Sequence, residues 1–273
     1  MAKKRIVTML TDYGTRDGYV ASIHGVLLSH APDVEVVHVS HQIPPGDVLA
    51  GAFVLDQVYD YFPPGTIHLV VVDPGVGTDR RILAARYAGQ TIVAPDNGLI
   101  SLVDARLPME AIVSVRNEQF FLARRVGATF DGRDVMAPVA AALARGVDIA
   151  RLGPLPARYN LLDLPLPTWD GTTLAGQVMY IDAFGNCVTN ITRAELERVI
   201  PQLARMEIAA KEVPVGPLVA AYAQVPPGQR LALLNSLDRL ELAVHMGRAC
   251  DVLGLAVGDK VCARYLDPTL PAQ

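Results

Sequence analysis

Three acidic residues stand where apolar runs stop. Asp12 follows RIVTMLT, Asp73 follows IHLVVV, and Asp96 follows TIVAP, with Asn97 beside it. Each is followed by a glycine within two residues. If the runs are strands of a parallel sheet, these carboxylates gather beyond the carboxyl ends of the strands, where such sheets bind ligands. Asp is also a common turn and N-cap residue. The concurrence of three is what favours a site. The densest stretch is VVVDPGVGTDRR, residues 70–81. A phosphate-binding loop places Lys and Ser/Thr after its last glycine, or opens a helix with GxGxxG. This stretch does neither, and its leading Asp would repel a phosphate. The glycines are better read as fixing Asp73 at the sheet edge, with Arg80, seven residues on, folding back to pair with it. A surface turn with both charges solvated is the plainer alternative.

Two further constellations carry candidate chemistry. In TFDGRD, residues 129–134, Asp131 or Asp134 can serve a site or cap a helix that starts near Arg133. In YIDAFGN, residues 180–186, Asp182, Phe184 and Asn186 put a carboxylate, a ring and an amide within five residues. A carboxylate accepts hydrogen bonds from ribose hydroxyls, a ring stacks, and an amide reads a polar edge, so the set suits an adenosine. A strand-turn-strand hairpin would use the same residues.

The elements that must position these groups change character along the chain. The first half alternates short apolar strands (5–11, 34–39, 67–72, 91–94, 112–115) with helices (from about 18, 47–62, 98–104, 133–145). That pattern predicts a largely parallel sheet covered on both faces. The proline-rich stretch LGPLPARYNLLDLPLPTWDG reads as an extended linker. Beyond it, 174–181, 239–244 and 260–266 read as strands. The expected organisation is an N-terminal α/β domain (1–155), a linker (156–172) and a smaller β-rich domain (173–273).

Composition narrows the function classes. The chain has 273 residues, is 51% hydrophobic and 19% charged, and carries a formal charge of −4. A nucleic-acid partner is disfavoured. No run is long and apolar enough for a secretory signal or a membrane span. The three cysteines include no CxxC, which fits a reduced, cytoplasmic setting.

Taken in order, LTDYGTRDGYV (10–20), IPPGDVLAGA (43–52), VVDPGVGTDRR (71–81), APDNGL (94–99), TFDGRDVMAP (129–138), YIDAFGNCVTNI (180–191) and LLNSLDRLELAV (233–244) resemble one family. It is that of the adenosine-forming S-adenosyl-L-methionine (SAM) hydrolases, or SAM hydroxide adenosyltransferases, relatives of fluorinase and chlorinase. The resemblance implies a Rossmann-like N-terminal domain, a β-barrel-like C-terminal domain, and a homotrimer sharing each SAM between neighbouring subunits. It implies attack of water or hydroxide at the ribose C5′, giving adenosine and L-methionine. SAM is then the substrate, and no cofactor or metal is called for. Asp73, Arg80 and Asp131 would occupy the catalytic positions. Asp12 would bind the ribose hydroxyls. Asp182, Phe184 and Asn186 would hold methionine and adenine groups, with Asn235 and Ser236 nearby. Asp96, Asn97, Phe130, Val244 and Met246 complete the substrate-binding set.

Two features separate the chain from the halogenases it resembles. Asp73-Pro74-Gly75-Val76-Gly77 stands where they carry Tyr-Pro-x-Thr-Gly, and no insertion precedes APDNGL. One feature departs from the hydrolases: they carry His in a Phe-His-Gly-Arg-Asp run, and this chain carries Asp131. Either two carboxylates share the work around Arg80, or the protein binds SAM with weak turnover. A chloride-using halogenase is a further alternative. A nicotinamide dehydrogenase, suggested by the fold alone, lacks its GxGxxG.

Overall fold

The computed structural model describes residues 5–123, 127–200 and 202–266. The chain forms two compact units, Met1–Leu162 and Asp163–Gln273.

The first unit is a mixed α/β structure. Its elements are β1 (Ile6–Thr11), α1 (Tyr19–His30), β2 (Glu35–Ser40), α2 (Val48–Tyr59), β3 (Ile67–Val71), β4 (Ile82–Tyr87), β5 (Gln90–Pro95), the single-turn α3 (Ser101–Asp104), β6 (Met109–Ser114) and α4 (Ala137–Ala144). The six strands lie in the order β2-β1-β3-β5-β4-β6. Neighbours from β2 to β5 pair parallel, whereas β4 is antiparallel to both β5 and β6. The expected largely parallel sheet is therefore parallel over four strands and antiparallel at one side. A β4–β5 hairpin turning at Ala88-Gly89 replaces a crossover helix there. Every residue of β3 is buried, as a strand covered on both faces requires. Ile23 and Leu27 of α1 and Val139, Ala140 and Leu143 of α4 pack on Met9, Leu69 and Val71.

On α2, Asp47 caps the helix, accepting from the Ala50 N–H at 2.9 Å. Gly51 lets this helix approach closely, since a Cβ there would lie 2.8 Å from Leu99 and 3.0 Å from Val72. The core also holds His68, which bonds Thr8 Oγ1 at 2.9 Å and Gln90 Oε1 at 2.8 Å. Burial lowers its pKa to about 4, so it sits there neutral.

The chain turns from β1 out to β2 on one side and then back to β3 on the other. The gap between β1 and β3 is thus a topological switch point. Thr11 and Val71, in register, end the two strands there.

The first unit continues past residue 155 because Asn160 and Leu162 bond back to it. The Asn160 N–H reaches Asp96 Oδ1 at 2.7 Å, and the Leu162 N–H reaches Ser101 Oγ at 2.7 Å.

The second unit comprises β7 (Thr168–Trp169), β8 (Thr173–Ile181), β9 (Cys187–Thr192), α5 (Arg193–Val199), β10 (Met206–Ala210), β11 (Val213–Pro214), β12 (Arg230–Leu234), β13 (Arg239–Val244), α6 (Ala249–Leu253) and β14 (Lys260–Tyr265). Its strands run β11-β10-β14-β8-β9-β13-β12, with β7 on β8, all antiparallel and curled into a half-barrel. A capping box of Thr192 and Glu195 starts α5. Leu174, Val178, Ile191, Ile208, Leu240 and Val261 fill the concave core. Among the described residues, no helix is long and apolar enough to cross a membrane.

Candidate active site

The two strand ends at the switch point carry Asp12 and Asp73. After Asp73 the chain folds through successive turns, with the Val76 N–H on Asp73 O at 3.2 Å and the Thr78 N–H on Gly75 O at 3.2 Å. Gly77 takes φ +83, which its missing Cβ permits. These turns return Arg80 to Asp73. Arg80 Nε donates to Asp73 Oδ1 at 2.7 Å and Oδ2 at 2.8 Å, and Nη2 also contacts Oδ2. The same Nη2 donates to Asp131 Oδ2 at 2.8 Å. The loop is therefore a device for one guanidinium and two carboxylates. Side-chain exposure is 11% for Arg80 and 6% for each Asp, so the cluster is largely shielded from water. Burial alone would lower the Arg80 pKa. The hydrogen bonds and charges of Asp73 and Asp131 outweigh it and hold the group above its ordinary value, as a permanent cation.

Asp131 reaches Arg80 from the other side because of how its helix begins. Gly132–Met136 form a π-helical turn that runs into α4. The Asp131 carboxylate makes no capping bond to this turn. Asp134, 1% exposed, is instead bound by its neighbour, with Arg133 Nε donating at 2.6 Å and Nη2 at 3.0 Å. Of the two acids in this motif, Asp131 thus faces Arg80 and Asp134 anchors the turn.

Asp12 lies beside the cluster on the β1 loop, its Oδ2 accepting from the Gly46 N–H at 2.8 Å. Phe130 stands in an aromatic group with Tyr13 and Tyr19, ring centroids 5.8 and 5.5 Å away, and Arg133 lies 4.7 Å over its ring. Asn97 ties the end of β5 to that of β3, donating to Val72 O at 2.9 Å. Asp96 is engaged by protein groups. Its Oδ2 takes Arg81 Nε at 2.8 Å and its Oδ1 takes the Asn160 N–H. Within the first unit, Asp12, Asp73, Arg80, Phe130 and Asp131 come together, while Asp96 braces the loops behind them.

In the second unit, the β8–β9 turn is organised by Asp182. Its Oδ1 accepts from the N–H groups of Phe184 (2.9 Å) and Asn186 (2.8 Å), and its Oδ2 from Asn186 Nδ2 (3.0 Å). Phe184 is left 76% exposed at the tip, and Met246, after β13, is 84% exposed. Val244 is buried and Ser236 is exposed on the β12–β13 turn. Asn235 orders that turn, accepting from the Leu237 N–H at 2.9 Å and donating to Glu241 Oε2 at 3.0 Å. Glu241, 4% exposed, also accepts from the Tyr222 hydroxyl at 2.6 Å. Burial, and then the bond to Glu241, raise the Tyr222 pKa and keep the phenol protonated. Neither Glu241 nor Tyr222 is singled out by the motifs. The available signal was a charged residue at an inward position of RLELAV. Tyr13, in LTDYG, is not singled out by the motifs either. Among the described residues, no cluster of three or more His, Cys, Asp or Glu could hold a metal ion.

A parallel switch point armed with a buried Arg–carboxylate cluster, followed by a curled antiparallel unit with polar turns, defines a two-unit protein of the α/β-plus-β class. More narrowly, the chain belongs to the SAM hydroxide adenosyltransferase family. The model of that family's N-terminal domain matches residues 7–153 and that of its C-terminal domain residues 176–262. An (R)-S-adenosyl-L-methionine hydrolase of Salinispora tropica is 40% identical over 266 residues, 96% of this chain and 98% of its own. The protein of the same name from Thermus thermophilus is 39% identical, covering 93% and 97%. A fluorinase of Actinoplanes is more distant, 28% identical over 87% and 90%. Among solved structures, an uncharacterized conserved protein from Thermotoga maritima superposes with a TM-score of 0.89 at 31% identity, covering 94% of this chain and 99% of its own.

Proposed function

We propose that the protein hydrolyses S-adenosyl-L-methionine to adenosine and L-methionine. The observation that carries the reading is the Arg80 guanidinium held between Asp73 and Asp131 beside Asp12 at the switch point. The near full-length similarity to named SAM hydrolases supports it. In the proposed step a water oxygen bonds to C5′ as the C5′–S bond breaks. The electron pair goes to sulfur, which leaves as the neutral thioether of methionine. The water proton passes to a carboxylate and then to solvent. A sulfonium is already a good leaving group, so the step asks for no cofactor. Positioning of the water supplies a large part of the rate, and carboxylates fixed by Arg80 can take its proton. A shielded site also favours attack, since hydroxide and sulfonium lose charge as they meet.

Asp12 would bind the ribose hydroxyls, and the Asp182–Asn186 turn would hold methionine and adenine groups. The proposal includes a Rossmann-like first unit, a cytoplasmic setting and a homotrimer that shares each SAM between subunits. Incubation with SAM should release adenosine and methionine in equal amounts, unchanged by added chloride. No adenosine, with SAM bound, would leave a second reading, a SAM-binding protein with little turnover. The observation favouring that reading is Asp131, where the family pattern has His. A 5′-chloro product would indicate a halogenase, although the Asp73 carboxylate repels halide.

A further inference from the structure

We propose that Tyr13 is a catalytic residue of this site, its hydroxyl donating a hydrogen bond to the attacking water. The proposal rests on the hydrolase reading and names a neutral hydroxyl donor, a group that the Asp73, Arg80 and Asp131 cluster lacks. Arg80 spends Nε on Asp73 and Nη2 on both carboxylates, so these donors are consumed within the cluster. A water lying against Asp73 and Asp131 meets acceptors, to which it gives its two hydrogens. Its two lone pairs then remain. One must point at C5′, and orientation is complete only when a donor engages the other.

Tyr13 is the neutral donor placed to do so. It follows Asp12 directly and its ring packs edge-on to Phe130, the residue before Asp131. A Cβ added at Gly132 would lie 2.9 Å from its hydroxyl oxygen, so the hydroxyl sits against the residue that follows Asp131, in space that only glycine leaves. The loop carrying it is fixed. The Tyr13 N–H reaches Thr11 Oγ1 at 3.3 Å, Thr11 Oγ1 bonds His41 Nδ1 at 2.9 Å, and the Gly14 N–H reaches His41 O at 2.7 Å. The ring is held between Tyr19 and Phe130, with centroids 5.7 and 5.8 Å away. Burial first, and then the charges of Asp12, Asp73 and Asp131, raise its pKa. The phenol therefore keeps its proton throughout. It donates a hydrogen bond, while the proton released from water goes to a carboxylate.

Tyr13→Phe keeps the ring and removes only the donor. In steady-state assays with SAM, kcat should fall about tenfold or more while KM stays within about threefold. Adenosine affinity by calorimetry and the melting temperature should be retained. Unchanged kcat in Tyr13→Phe would overturn the proposal and leave the hydrolase reading standing. So would parallel losses of kcat, adenosine affinity and melting temperature. A wild-type protein that forms no adenosine would overturn both.

Discussion

Replacing Arg80 by methionine tests whether the first unit's cluster is a buried ion triad and whether it serves the reaction. Arg80 is 11% exposed and its two partners 6% each. With the cation gone, two carboxylates face each other in a space that water barely enters. Breaking a buried ion pair by removing one partner costs about 3–5 kcal/mol. At about 2–4 °C per kcal/mol for a unit of this size, the melting temperature should fall by on the order of 10 °C. The variant Asp73→Leu/Arg80→Met/Asp131→Leu removes all three charges together. Exchanging a whole buried ion cluster for apolar side chains is often neutral or stabilising, so its melting temperature should return to within a few degrees of wild type. Adenosine formation should fall by a factor on the order of 10² or more in both variants. Scanning calorimetry reads the first quantity and chromatography the second. A triple variant as unstable as Arg80→Met would contradict the ion-triad account. Wild-type turnover by folded Arg80→Met would remove Arg80 from the reaction.

Other expectations follow from single contacts. Asp131→His should hold or raise turnover near neutral pH and reshape the pH–rate profile, because imidazole titrates in that range; an unaltered profile and rate would place Asp131 outside the reacting shell. Asp12→Ala should weaken SAM and adenosine binding by about tenfold or more, since hydrogen bonds to a carboxylate are lost; unchanged adenosine affinity by calorimetry would remove Asp12 from the ribose. His68, neutral in the core with its pKa at about 4, should make the protein acid-sensitive. Below about pH 6.5 the unfolded chain binds a proton that the folded chain excludes, so stability should drop by on the order of 3 kcal/mol between about pH 6.5 and 4 and level off below. His68→Gln should flatten that slope in urea titrations, and an undiminished slope would assign it to other groups. Light scattering should give the mass of a trimer, and full activity in a dilute monomer would rule out a shared site.

Much of the first unit was legible because its cues are local. IVTMLT and IHLVV are apolar runs of strand length, so the positions of Asp12 and Asp73 at strand ends could be read directly. The return of Arg80 to Asp73 could be anticipated because loop glycines and seven residues of chain suffice for it. What stayed hidden depends on distant partners. The strand ILAARY has the helix-forming residues Leu, Ala and Arg, and becomes β4 only because β5 and β6 flank it. RLALL becomes β12 through its pairing with β13. TFDGRD allowed Asp131 or Asp134 to cap a helix, and only the tertiary fold turns Asp131 to Arg80. The Thr192–Glu195 capping box, by contrast, was plain in TRAE and passed over.

The π turn at Gly132–Met136 holds one residue more than an α-helix would fit into the same rise, which makes it in effect an insertion upstream of α4. Removing one residue from it would let an ordinary helix form, with α4 still seated in its buried place. Everything on the N-terminal side would then rotate by about 100° about the helix axis, swinging the Asp131 carboxylate away from Arg80. A single-codon deletion there would therefore part Asp131 from Arg80 and at the same time shift the buried Val135 and Met136. The phase of one helix, set by a single surplus residue, thus ties the reach of Asp131 to the packing of the unit's core.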